Sequence, residues 1–229
     1  MSVASCQLPV VSYGHLAGNW QLGASAASEL GTASPTALLN RDREPHTFST
    51  MPALSIWSPE DGVLGAVAPL GLAVAAGTAL VVDLDPAGPR YPGSATLADL
   101  VADGPRRGDL SPSRRGVAVL ANGGIDPEEA ETVLDALVEG WPSVVLRLPA
   151  GHDGSVGAIP VVPLVPGDLF AEYGSGAVYQ QSGWRVEAPA SSVVLPRPRR
   201  STIGMLLSGA APPRWDRWIS AWRPLWELG

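Results

Sequence analysis

The feature that most restricts how this chain can fold is the apolar stretch from Val63 to Val82, broken by Gly65, Pro69, Gly71 and Gly77 and followed by Asp83-Leu84-Asp85-Pro86. An apolar run of this length is either a membrane span or two buried elements in succession. The glycines, the proline and the two aspartates at its end favour the second reading. The spacing predicts a helix from Leu64 to Ala76, then a strand from Ala79 to Leu84. That strand shows no apolar–polar alternation before Asp83, the pattern of a parallel strand buried on both faces. Pro69 is a blemish inside the helix, since proline supplies no N–H and its ring crowds the preceding turn.

The flanking sequence repeats the alternation. Ala53 to Trp57 reads as a short strand, and Ser58 to Gly62 carries turn chemistry. Ala95 to Ala102 predicts a short helix, with Leu97, Leu100 and Val101 at helical spacing, and Gly116 to Leu120 predicts a strand. Asp126-Pro127-Glu128-Glu129 has an aspartate at the cap, proline at the first helical position and acids in the first turn, a helix start. Its helix runs to about Glu139, with Val133, Leu134, Leu137 and Val138 as the apolar face; Ser143 to Leu148 and Ile159 to Val165 predict further strands. Strands alternating with helices imply an α/β fold, a mainly parallel sheet with helices on both faces in three Rossmann-like layers.

The chain divides on this reading into three parts. Residues 1–50 form a partly ordered leader, with a short strand at Val10 to Tyr13, a short helix at Ala24 to Leu30 and a polar loop from Asn40 to Ser49. Residues 51–195 form the α/β domain. Its end is predicted to hold a hairpin, pairing Ala177 to Tyr179 with Trp184 to Glu187 around Gly183, and a last strand at Val193 to Leu195. Residues 196–229 comprise a basic, proline-rich hinge, Pro196 to Arg200, and a tryptophan-rich segment.

Composition excludes several function classes. A hydrophobic content of 45% is ample for a core, and a formal net charge of −7 argues against a general nucleic-acid binder. The arginine clusters at Arg106-Arg107, Arg114-Arg115 and Arg197 to Arg200 read as solvated loop charge. Cys6 is the single cysteine, so there is neither a disulfide framework nor a cysteine metal site. The N-terminus lacks a basic region followed by an apolar run, so no secretory signal is expected and the expected location is the cytoplasm. His15, His46 and His152 have no Glu or Cys at ligand spacing. Gly151-His152-Asp153-Gly154-Ser155 brings His, Asp and Ser together in sequence, but a triad requires convergent geometry. No GxSxG elbow and no GxGxxG fingerprint follows a strand.

All fifteen basic residues are arginine, and not one is lysine. The strand, Gly-containing loop, helix and second strand over Ile56 to Pro86 have the outline of a nucleotide-binding unit whose phosphate loop requires lysine. The segments Trp57-Ser58-Pro59-Glu60-Asp61-Gly62-Val63-Leu64-Gly65, Ala79 to Pro86, Gly116 to Leu120 and Val144-Val145-Leu146-Arg147-Leu148-Pro149 together resemble the MinD/ParA family of P-loop ATPases. The likeness spans residues 52–170 and is greatest to the CpaE/TadZ/septum-site-determining branch, in which the last of these strands commonly reads apolar-apolar-Asp-Leu-Pro.

The resemblance implies a P-loop NTPase-like fold and shows what is missing from it. Where the family loop carries two lysines, this chain has Glu60, beside Asp61 and Gly62, and about Gly65. The family's hydroxyl residue for Mg²⁺ falls at Ala66 or Val67, and its later aspartate falls at Arg147. Asp83 and Asp85 remain where family acids help place water and Mg²⁺; otherwise they cap a loop at a strand end. The charge reversal suggests that Arg147 pairs with Asp83 or Asp85 in place of a bound nucleotide. No cofactor and no metal are implied.

In the C-terminal segment, Trp218, Ile219, Trp222 and Trp226 follow Trp215 at offsets of 3, 4, 7 and 11 residues. At about 100° per residue they share one face of a helix. Pro212-Pro213 suits its start, and Pro224 kinks or ends it. Three roles compete: packing on its own domain, lying at a membrane interface with arginine toward anionic lipid, or docking into a partner's groove. A C-terminal amphipathic membrane helix is what the MinD resemblance implies.

The expectation is a MinD/ParA-like pseudo-ATPase, a non-catalytic scaffold or localisation factor at a membrane, a septum or a secretion-pilus base. Its partners would be proteins, with a membrane surface through the C-terminal helix, no specific nucleic acid, and a homo- or hetero-dimer compatible with the fold. Its location would be cytoplasmic or peripheral to the inner face of the membrane. The alternatives are a divergent ATPase using arginine for lysine, although a planar guanidinium is a poor point charge in a tight loop, and a structural subunit of a larger complex without membrane contact.

Overall fold

The computed structural model describes residues 53–227 apart from 61, 90, 94, 105–115, 153–156 and 168. Seven strands form one sheet: β1 (Ala53–Trp57), β2 (Ala79–Asp83), β3 (Val117–Leu120), β4 (Val144–Arg147), β5 (Ala158–Leu164), β6 (Val178–Gln181) and β7 (Val193–Leu195). Their order is β3-β2-β4-β1-β5-β6-β7, and every adjacent pair is parallel. The helices are α1 (Val63–Ala76), α2 (Leu97–Asp103), α3 (Glu131–Gly140), α4 (Arg200–Leu207), α5 (Arg217–Ser220) and α6 (Arg223–Glu227).

The period-2 geometry of the strands sends alternate side chains to opposite faces. In β2 all five residues are buried. Leu80 and Val82 join Leu97, Leu100, Leu120, Leu137 and Val144 in one core layer, under α2 and α3. Val81 joins Ile56, Val145, Val161, Val178 and Leu195 in the other, under α1. The expected three-layer α/β sandwich with a parallel sheet is therefore present. Helix α1 is buried through nine of its fourteen residues, because the sheet lies on one side and α4, α5 and α6 cover the other. A helix apolar all round needs two such covers.

Several local expectations change. The expected hairpin between residues 177–179 and 184–187 does not form. Strand β6 instead pairs in parallel with β5 and β7, and residues 184–187 are irregular. Parallel pairing buries Val178, Tyr179 and Gln180 between neighbours on both sides, whereas a hairpin would leave β6 without its β7 partner. The helix at 126–139 opens as a 3-10 turn, Pro127–Ala130, and Asp126 makes no side-chain cap bond. Helix α2 begins at Leu97, not Ala95, because Thr96 and Asp99 form a reciprocal capping box: Asp99 N–H donates to Thr96 Oγ1 at 3.1 Å and Thr96 N–H to Asp99 Oδ2 at 3.0 Å. The described residues belong to one compact unit, and those of 196–229 pack into its core. The leader's expected strand and helix, and the clusters Arg106-Arg107 and Arg114-Arg115, lie outside the described residues.

Candidate functional site

In an open parallel sheet, ligands bind outside the carboxyl ends of strands where the chain's direction of winding reverses. Here β1 leads one way, over β4 to β2, and β4 leads the other way, over β1 to β5. The reversal lies between the adjacent strands β4 and β1. Arg147 ends β4, in register with Ile56 of β1 on one side and Asp83 of β2 on the other.

The guanidinium of Arg147 fills this position with internal bonds. Its Nη1 donates to Asp83 Oδ1 at 2.7 Å, its Nη2 lies 3.0 Å from Asp85 Oδ2, and its Nε donates to the carbonyl of Gly65 at 3.2 Å. The last bond follows from a proline. An α-helix pairs each carbonyl with the N–H four residues on, and for Gly65 that residue is Pro69, which has no N–H. The carbonyl freed by Pro69 is the one Arg147 takes. The interior blemish of the sequence thus supplies an acceptor at the crevice.

The acids are held as firmly. Asp83 Oδ1 also accepts from the N–H of Asp85, and Asp85 Oδ1 from that of Ala87, each at 3.0 Å. Gly88 closes over the group: a β-carbon there would meet Asp83 Oδ2, Arg147 Nη1 and, at 2.9 Å, the carbonyl of Asp85. Tyr91 adds a wall, its hydroxyl donating to the carbonyl of Ala66 at 2.9 Å. Arg147, Asp83 and Asp85 are all buried. Burial pushes the Asp83 carboxyl above its ordinary value, with Arg147 opposing. Burial disfavours the Arg147 cation, but Asp83, Tyr91 and Asp85 together outweigh this and hold its pKa above the usual arginine value. Burial likewise raises the Tyr91 phenol.

The preceding loop, residues 58–62, joins β1 to α1. Glu60 is exposed there, its carbonyl accepting from Gly62 N–H at 2.8 Å. Gly62 is the N-cap of α1 and makes no side-chain cap bond. Asp61 lies outside the described residues. Of the expected site residues, the fold brings Gly65, Asp83, Asp85 and Arg147 together. Sequence reasoning missed Gly88 and Tyr91; the Pro86-Ala87-Gly88-Pro89 turn was the available sign of a tight backbone approach. Among the described residues no group of His, Cys, Asp and Glu has the makings of a metal site.

The second expected site is corrected. Trp218, Ile219 and Trp222 were expected to meet a partner or membrane, yet they lie wholly inside their own domain. The segment is two short helices rather than one amphipathic rod, with Trp222 at the break. Trp218 and Trp222 pack edge to face, ring centroids 5.4 Å apart, over Gly71 of α1. Trp218 Nε1 donates to Gln180 Oε1 at 2.7 Å and Trp226 Nε1 to the carbonyl of Leu72 at 2.9 Å. The physical reason is the apolar outer face of α1, which needs this cover. Of the five contact residues expected, Trp215 alone is exposed, at 78%. Among the described residues no helix is long and apolar enough to cross a membrane.

The sequence matches no protein-family model and no curated protein. Solved structures do match. A ParA family ATPase from Chlorobium tepidum superposes with a TM-score of 0.51 at 15% identity, over 75% of this chain and 97% of that one. The MinD cell division protein of Aquifex aeolicus gives a TM-score of 0.51 at 15% identity, over 76% of this chain and 96% of its own. The chain has the MinD/ParA-like P-loop fold, and at this identity the likeness is one of fold.

Proposed function

We propose that this chain is a non-catalytic pseudo-ATPase of MinD/ParA-like fold, working in the cytoplasm as a scaffold or localisation factor through protein contacts. The observation that carries the reading is the buried Arg147–Asp83–Asp85 cluster at the crevice where such a fold takes its ligand. Two carboxylates and a carbonyl already surround the guanidinium, leaving no positive excess to attract a polyphosphate. Both carboxylates face a fixed cation rather than an open metal position. An anion forced into such a desolvated, acid-lined space is repelled.

The alternative, in which arginine replaces the loop lysine, requires a free guanidinium at the crevice. Arg147 is the arginine the described residues place there, and its bonds are taken.

Calorimetric titration of ATP with Mg²⁺ into the full chain, carried into the millimolar range, tests the proposal. The expected result is no saturable heat. Saturable binding at micromolar affinity would overturn it, because some arrangement of backbone and arginine would then be holding the phosphates.

A further inference from the structure

Among the described residues, charge separates across the sheet. On the face covered by α1 and α4–α6, Arg199, Arg200, Arg214, Arg217 and Arg223 are exposed. Of the two acids on these helices, Glu227 is exposed at the end of α6 and Asp216 is engaged: it caps α5 and accepts from Thr202 Oγ1 at 2.9 Å. That bond ties the first turn of α4 to the start of α5, so Arg199, Arg200 and Arg217 gather at one junction. Trp215 stands out from this face, and with Arg214, Pro212, Pro213, Val74 and Ala211 it lines an open cavity of about 350 Å³.

The opposite face is acidic. The 3-10 turn Pro127–Ala130 and α3 belong to the other core layer, and Asp126, Glu128, Glu129, Glu131, Asp135 and Glu139 are exposed on them. The chain from Gly116 to Gly140 carries those six acids and no basic residue, whereas residues 196–229 carry six arginines and two acids. The second segment is thus positive by four within a chain whose net charge is −7.

We infer that the Trp215 face docks the acidic α3 face of a second copy of this chain, in a head-to-tail contact. The two faces cannot meet within one molecule, because the sheet stands between them. A single contact leaves one face of each kind open, so the interaction is heterologous and extends beyond a dimer. Trp215 and its cavity supply an apolar anchor, and the surrounding arginines supply register and orientation. A second copy fits better than an unrelated acidic partner, since the complementary surface is carried on every molecule at equal concentration. The inference goes beyond the function proposed above and does not rest on an empty crevice, so the ATP titration leaves it untouched.

Sedimentation velocity of the full chain over a range of concentrations, at low and at high salt, tests it. Self-association at low salt, weakened about tenfold or more at high salt, is expected of a contact led by exposed charge. The fourfold variant Arg199→Glu, Arg200→Glu, Arg217→Glu, Arg223→Glu turns residues 196–229 from positive by four to negative by four, so that both faces are acidic, and Glu128→Arg, Glu129→Arg, Glu131→Arg, Asp135→Arg turns residues 116–140 from negative by six to positive by two, so that both faces are basic. Each alone is expected to remain monomeric, and an equimolar mixture to associate again. Trp215→Ala is expected to weaken association with little change in its salt dependence. A wild-type chain that stays monomeric at low salt would overturn the inference, as would charge-reversed variants that self-associate like the wild type.

Discussion

Arg147 concentrates the chemistry of the crevice in one side chain. Its removal leaves two buried carboxylates without a cation and the Gly65 carbonyl without its side-chain donor. Breaking a buried ion pair from one side costs about 3–5 kcal/mol, since the orphaned charge stays desolvated. We therefore expect Arg147→Ala to lower the unfolding free energy by that amount, read as a lower urea midpoint with an unchanged slope. Replacing the whole group is a different experiment. Arg147→Met combined with Asp83→Asn and Asp85→Asn removes all three charges at once, and such swaps are often neutral or stabilising. The triple variant is expected to be more stable than Arg147→Ala. Equal destabilisation of the two would show that the loss comes from packing around the long side chain rather than from unpaired charge. The pairing itself was legible in the sequence, because a basic residue ends one strand and two acids end another. The third bond was not: that Gly65 has a spare carbonyl follows from Pro69, but that Arg147 reaches it depends on β4 lying beside β1.

Helix α1 shows how an element is shaped by what covers it. Gly71 sits in its middle, where alanine would favour an isolated helix by about 1 kcal/mol. Here a β-carbon would run into the Trp218 ring and come within 2.8 Å of Trp222 Nε1. The backbone of α1 is the floor on which the tryptophan pair lies, and only glycine is thin enough. Overpacking a filled core costs about 1–3 kcal/mol, more than the propensity gain. Gly71→Ala is expected to be destabilising by a net amount of that order, and to shift the near-ultraviolet signal of the tryptophans in the folded state. A stabilised variant with unchanged tryptophan signals would mean that the pair is loosely seated. The elements of residues 53–164 could be read from apolar runs and turn residues because each strand there is short, apolar and followed by a clear stop. Residues 177–187 misled because a short strand beside a glycine fits a hairpin as well as a parallel addition, and only the partner strand distinguishes them, whereas the last strand, Val193–Leu195, is where the sequence placed it. The capping box at Thr96 and Asp99 was visible as a local T-x-x-D pattern and would have fixed the start of α2.

The whole molecule depends on its last thirty or so residues in a way the tryptophan spacing could not decide. A stripe of aromatic residues on a helix looks the same whether it faces a membrane, a partner or its own core. What decides is the far side of α1, and its exposure follows from tertiary packing, not from local pattern. Trp218 and Trp222 lie at the centre of the larger core layer together with Leu72, Leu195 and Leu206. Gln180 links the layer to the sheet: its Nε2 donates to the Pro196 carbonyl at 2.9 Å while its Oε1 accepts from Trp218. These contacts imply that the C-terminal segment is part of the folding unit rather than an appendage on a hinge. A chain ending at Leu195 would present α1 to water along the face now covered by α4–α6. Truncation of a large share of one core layer removes specific packing while leaving apolar strands able to collapse, the circumstances in which compact states without fixed tertiary structure arise. The truncated chain is expected to keep much of its far-ultraviolet signal, lose its near-ultraviolet signal and melt without a cooperative transition. Trp218→Ala alone should lower stability by about 3–5 kcal/mol, the usual loss for a large buried aromatic side chain. If the truncated chain still melted cooperatively, within a few degrees of the full chain, the sheet and α1 would be stable without their cover, and the tryptophans would be free to leave it for another surface.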